Sequence, residues 1–185
     1  MFLKNYFTKI SELLNQIDTG KILELKKKLL LTKKKNGKVI MIGNGGSIST
    51  CAHFSVDLTK NAKIKSVNFN EANLITCFSN DYGFENWLKK ALIYYVEKSD
   101  LIIFLSVSGE SKNLVNALTY CIKNNIDAVT LTGMSKKNKL CRINKNGLNF
   151  NVNSSSYNLV EILHHITLLS TVDLVIGREN YGSNL

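Results

Sequence analysis

The chain contains no proline, one tryptophan and only two arginines. No sequence feature accounts physically for the missing proline. There is no CxxC pair and no Cys/His group at zinc-finger spacing. Cys51, Cys77, Cys121 and Cys141 therefore read as free thiols of a reducing compartment, with Cys51 a small packed residue. No long apolar run opens the chain. Met1-Phe2-Leu3-Lys4-Asn5-Tyr6-Phe7 mixes apolar and polar residues from the start, so neither a signal peptide nor a membrane span is expected, and a cytoplasmic location is. Linkers, internal repeats and low-complexity tracts are also missing, apart from clusters of lysine. A chain of 185 residues that is 44% hydrophobic fits one domain with a sizeable core.

What the chain has in excess is positive charge, +10 in all. Much of it lies in Lys26-Lys27-Lys28 and Lys33-Lys34-Lys35, with Lys38 close by. Arginine is scarce and no aromatic stacking motif accompanies these runs. They read as a solvated helix face, and nucleic acid is not an expected partner. The charge can still steer anionic small molecules towards the protein.

Apolar periodicity gives the order of elements. Phe2, Leu3, Tyr6, Phe7, Ile10, Leu13, Leu14 and Ile17 recur at the helical period, and Leu23, Leu25, Leu29 and Leu30 follow in a second helix over 21–32. Strands are expected at 38–42, 74–78, 101–106, 128–132 and 148–152. Helices are expected at 47–60, 84–97, 112–124, near 135–142, and at 157–176. Such alternation predicts an α/β fold: a five-stranded parallel sheet flanked by helices, a flavodoxin-like three-layer sandwich with added N-terminal helices. Within one structural domain overall, residues 1–36 are expected to form an oligomer-forming helical segment and 37–185 the α/β domain. The competing expectation is that the first helices pack on the sheet of their own chain.

Two strand-to-helix turns carry the chemistry. Gly43-Asn44-Gly45-Gly46-Ser47 follows the apolar run Val39-Ile40-Met41-Ile42. A glycine-rich turn lets backbone N–H groups close around an anion, and the helix N-terminus adds its partial positive charge. His53 and Asp57 lie on the helix that follows, at i and i+4, and share a face. The second turn, Ser106-Val107-Ser108-Gly109-Glu110-Ser111, offers three hydroxyls and a glycine after the run Leu101-Ile102-Ile103-Phe104-Leu105. Any one of these serines has an ordinary alternative, such as Ser111 as a helix cap. Two hydroxyl-rich turns after two strands point to a phosphorylated small molecule.

GNGGS, then His53 six residues after Ser47 and Asp57 four further on, resembles the phosphoheptose isomerase branch of the sugar isomerase (SIS) domain family. Asn80-Asp81-Tyr82-Gly83-Phe84 and SVSGES resemble further segments of that branch. The resemblance runs from about Lys38 to Asp173 and implies a single SIS domain. It implies isomerisation of sedoheptulose 7-phosphate to D-glycero-D-manno-heptose 7-phosphate through an enediol, for surface-polysaccharide synthesis. It also implies a homotetramer, no nucleotide cofactor and, as in some members, one divalent metal such as zinc per subunit.

Carried onto this sequence, the resemblance gives Asn44, Gly45, Ser47, Asn80, Asp81, Ser106, Ser108, Ser111 and Asn158 as substrate-binding residues. It gives His53, Asp57 and Glu161 as metal ligands. Asp57 falls on a glutamate position and Glu161 on a glutamine. The family's last histidine falls on Leu169, which cannot carry a proton. Asp57 is therefore expected as the base, with His164 or His165, three and four residues after Glu161, as the replacement acid. The alternative function is a non-catalytic SIS module that binds a sugar phosphate or a protein, like the replication-initiator-associating relative.

Overall fold

The computed structural model describes residues 1–179. Two helices, α1 (Phe2–Leu14) and α2 (Thr19–Lys34), lead into β1 (Val39–Ile42) and α3 (Gly46–Lys60). Next come β2 (Ser66–Asn68), α4 (Ala72–Tyr82), α5 (Trp87–Tyr95), β3 (Leu101–Ser106) and α6 (Lys112–Lys123). The chain closes through β4 (Asp127–Thr132), α7 (Lys139–Ile143), β5 (Leu148–Asn151) and α8 (Tyr157–Ile176). The strands form one parallel sheet in the order β2-β1-β3-β4-β5. That order reverses direction between β1 and β3, the place where open α/β sheets leave a crevice for ligands.

The central strands are apolar throughout because both faces of the sheet are covered. Alternate residues of one strand enter opposite layers. Val39, Met41, Leu101, Ile103 and Leu105 join Leu25 and Leu29 of α2, Phe54 and Leu58 of α3, and Leu168 and Val172 of α8. Ile40, Ile42, Ile102 and Phe104 join Trp87 and Leu88 of α5 and Leu114 and Leu118 of α6. By length and apolarity α8 is capable of crossing a membrane. In the fold its apolar side chains Leu159, Val160, Leu163, Leu168 and Val172 are buried in the domain.

One expectation needs correction. Residues 74–78 are not a strand but the middle of α4. The Glu71 carboxylate accepts from the N–H groups of Asn73 and Leu74 at 3.0 and 2.7 Å, which starts a helix there. Leu74, Ile75 and Phe78 then pack at helical spacing against the core cluster that includes Trp87 and Leu88. The missing strand is Ser66–Asn68, a short, half-exposed and polar edge that carries no apolar signal. The two N-terminal helices share the core of the α/β domain. Leu25 and Leu29 of α2 are fully buried in the core, and Leu13 of α1 packs on Leu159 and Leu163 of α8.

Candidate functional site

The two hydroxyl-bearing turns meet at the C-terminal ends of β1 and β3. They line a cavity of about 90 Å³ with Asn44, Ser47, Ser106, Ser108 and Ser111, closed by Tyr157 and Glu161 of α8. Gly45, at φ +54°, turns the chain into α3. Gly46 allows a close approach: a Cβ there would stand 2.4 Å from a Glu161 carboxylate oxygen. Glu161 therefore rests against the first turn of α3, and no hydrogen bond or ion pair engages its carboxylate among the described residues.

The second loop is tied by its own serines. The Gly109 N–H donates to Ser106 Oγ at 3.1 Å, and the Glu110 N–H to Ser108 Oγ at 3.2 Å. Each hydroxyl accepts from the loop and keeps its own proton for a ligand anion. Ser111 occupies the cap position of α6, yet its side chain makes no capping bond, so its hydroxyl is also free to donate. Glu110 is held away from the cavity: its carboxylate accepts from the Lys139 N–H at 2.9 Å and pairs with Lys139 Nζ at 3.1 Å. That backbone bond, more than the charge of Lys139, lowers the pKa of Glu110.

Asn113 was not legible as a site residue. It is buried on the first turn of α6 and exchanges two amide hydrogen bonds with Asn44, at 3.0 and 2.9 Å. This pair locks the glycine turn to the serine turn. The only signal was an asparagine two residues past Ser111, a pattern shared by many helix starts.

Beside the cavity, along the packing of α3 against α8, runs a chain of imidazoles. Asp57 Oδ2 lies 3.4 Å from His53 Nε2, and His53 Nδ1 lies 3.1 Å from His165 Nε2. His165 Nδ1 reaches Thr50 Oγ1 at 3.2 Å. A bond between two imidazole nitrogens needs one donor and one acceptor, so one ring of the pair carries the shared proton and the other accepts it. Burial first, and then the neighbouring His53, hold His165 below the ordinary histidine pKa, against the opposing pull of Asp57.

Several expected residues fall elsewhere. His164 does not face the cavity. It is buried, its Nε2 meets the Thr132 carbonyl at 3.1 Å, and burial lowers its pKa to about 4, so it cannot serve as an acid near neutrality. Asn80 and Asp81 are exposed at the end of α4 and bond to each other at 2.9 Å, because the segment is a surface helix and not a strand leading into the site. Asn158 is exposed on the first turn of α8, and its neighbour Tyr157 lines the cavity instead. Asp57 turns to His53 and to the Asn61 amide, 3.1 Å away, and does not line the cavity.

The implied metal set is not assembled. His53 and Asp57 face each other, while Glu161 abuts Gly46, and no group of three His, Cys, Asp or Glu that could hold a metal ion occurs among the described residues. As placed, these donors do not converge to form the implied centre. Cys51 is no alternative nucleophile, since burial pushes its thiol up to about 12.

The model of the SIS domain family matches residues 5–133, and the chain belongs to that family. The chain is 33% identical over 131 residues to phosphoheptose isomerase of Aliarcobacter butzleri (strain RM4018), covering 66% of this chain and 69% of that one. It is 30% identical over 105 residues to phosphoheptose isomerase of Histophilus somni (strain 2336), covering 54% of each. The matched stretch thus spans little more than half of the second relative. The structure of phosphoheptose isomerase from Neisseria gonorrhoeae superposes with a TM-score of 0.86 at 20% identity, over 94% of this chain and 97% of that one, which shows the shared fold. The relatives are isomerase enzymes.

Proposed function

We propose that this protein interconverts a ketose phosphate and its aldose, with sedoheptulose 7-phosphate and D-glycero-D-manno-heptose 7-phosphate as the preferred pair, in the supply of heptose for surface polysaccharide. The observation that carries the reading is the cavity in which two hydroxyl-bearing turns converge beside a carboxylate that has no hydrogen-bond or ion-pair partner among the described residues. The phosphate sits among Ser47, Ser106, Ser108 and Ser111, where hydroxyl protons and the start of α3 supply positive potential without a competing lysine. The sugar then follows the packing of α3 on α8. Ser47 and His53 are six residues apart on α3, about 9 Å along its axis, so the carbon chain passes Glu161 and reaches the imidazole pair.

In this reading Glu161 accepts the proton that moves between C1 and C2. The His53–His165 pair serves the two oxygens of the enediol, with Asp57 orienting His53. Glu161 replaces Asp57 as the preferred base because Asp57 is already engaged. The protein works as a homo-oligomer, most simply a tetramer. Phe2, Leu3 and Phe7 of α1 and Leu23, Leu30 and Leu31 of α2 leave apolar surface that a partner copy would cover.

The test is an isomerisation assay across phosphorylated ketoses of five to seven carbons, with and without added divalent metal. Turnover of the seven-carbon substrate above the others supports the assignment. Binding of a sugar phosphate without any turnover replaces it with a sensor, a reading that Leu169 in place of the family histidine favours.

A further inference from the structure

A stripe of α3 faces His165 of α8. Thr50, His53 and Asp57 stand at i, i+3 and i+7 and share one side of the helix. Thr50 is the member to which the isomerase reading gives no role. It is 5% exposed, and its hydroxyl departs from the habit of other helix threonines in this chain. Thr32, Thr59, Thr119 and Thr171 each donate to the carbonyl four residues back, the common fate of such a hydroxyl. The Thr50 hydroxyl crosses to the neighbouring helix instead. Its one hydrogen bond among the described residues is with His165 Nδ1, at 3.2 Å.

The resulting chain of groups has two unlike ends. At one end is a hydroxyl, which can donate or accept. At the other is the Asp57 carboxylate, which when ionised only accepts. Three links join them: Thr50 to His165, His165 to His53 at 3.1 Å, and His53 to Asp57 at 3.4 Å. One hydroxyl and two neutral imidazoles supply three hydrogens, and one placement fills every link. Thr50 Oγ1 donates to His165 Nδ1, His165 Nε2 donates to His53 Nδ1, and the His53 Nε2 hydrogen points to Asp57. The reverse placement sets a bare His53 Nε2 against the carboxylate, lone pair against negative charge.

We propose that Thr50 is a positioning residue which, acting through His165, keeps the hydrogen of His53 on Nε2. The His53 side chain is 50% exposed, so this end of the relay is open to a ligand. At 3.4 Å the Asp57 contact is longer than an ordinary N–H···O bond, and the hydrogen stays available to a substrate oxygen. A neutral imidazole N–H held in this way polarises a carbonyl and stabilises an enediolate without leaving as a proton. The hydrogen placement stands apart from any activity, while its effect on turnover rests on the isomerase reading.

The 15N–1H spectrum of the imidazoles in the full chain, at about pH 8 and so above the ordinary histidine pKa, reads the placement directly. The chain has three histidines. His164 is the internal reference, because its Nε2 meets the Thr132 carbonyl at 3.1 Å and must carry the hydrogen there. All three rings are expected in the Nε2–H form. Thr50→Val removes the hydroxyl at nearly constant volume. It is expected to add the Nδ1–H form on His165 and His53, with an unchanged His164 signal showing that the fold is intact. Its kcat should fall by about tenfold with little change in KM, and Thr50→Ser should restore both spectrum and kcat. Four results overturn the proposal: wild-type His165 with its hydrogen on Nδ1, ring spectra that Thr50→Val leaves unchanged, a wild-type kcat in Thr50→Val, or a Thr50→Ser that behaves as Thr50→Val. A wild type that isomerises nothing yet shows the Thr50-dependent spectrum ends the isomerase reading and upholds the hydrogen placement.

Discussion

His164 has 1% of its surface exposed and reaches only the Thr132 carbonyl, whereas His165, the next residue, touches both His53 and Thr50 on α3. On one side of α8, Tyr157, Glu161 and His165 repeat every four residues and meet the glycine turn and its helix. On the other, His164 is buried against the end of β4, at the Thr132 carbonyl. A step of one residue turns a helix by about 100 degrees, enough to move the same side chain from a hydrogen-bonded imidazole pair to a buried position. Residue type thus says little about role on this helix until its rotation is known.

The largest effect expected from breaking this contrast is on the Glu161 side. Glu161→Gln keeps the shape and removes the carboxylate, and turnover should fall by about 10²- to 10⁴-fold while a sugar phosphate still binds. Steady-state kinetics with a separate binding measurement checks this. If Asp57→Asn abolishes turnover and Glu161→Gln does not, the base is Asp57.

The His164 side should speak through stability. Its pKa is lowered from 6.5 to about 4 in the folded chain, chiefly by burial. Folding therefore favours the neutral ring. The resulting stabilisation is complete above pH 6.5 and is lost as pH falls through about 4. The stake is on the order of 3 kcal/mol. His165, also lowered by burial and by His53, adds in the same direction. Urea unfolding between these pH values should show a steep loss for the wild type and a flatter one for His164→Gln. Parallel slopes would remove His164 as the source.

Within the serine cavity a smaller effect is expected. Ser106→Ala or Ser108→Ala removes one hydroxyl donor to a charged phosphate and should weaken sugar-phosphate affinity by roughly ten- to a hundredfold. Unchanged affinity in both would move the phosphate elsewhere. The smallest effect on the fold should come from Leu30→Glu with Leu31→Glu, both exposed on α2. The stability of the single chain should stay within about 0.5 kcal/mol per site, while sedimentation velocity should report smaller assemblies than the wild type. A wild type that already sediments as a monomer at micromolar concentration contradicts the assembly.

Most of the fold was legible because its signals are local. The runs Val39–Ile42 and Leu101–Ser106 are buried on both faces, and such strands must be apolar at every position. Residues 74–78 misled because a short apolar, β-branched run suits a strand and a half-buried helix alike, and the deciding Glu71 cap is a single polar residue. Ser66–Asn68 was missed because an edge strand need not be apolar. Of the site, the two turns that line the small cavity were legible from glycines and serines, whose backbone and hydroxyl chemistry is fixed by sequence alone.

By itself the sequence determined the strand–helix order, the two turns that form the small cavity, and the family to which the chain belongs. Only the tertiary structure decided that α2 enters the core, that Asn113 bolts the two turns together, and that Glu161 rather than Asp57 stands in the cavity. It alone separated His164 from His165. The reason is that a helical period fixes which residues share a face, while packing against distant parts of the chain fixes where that face points.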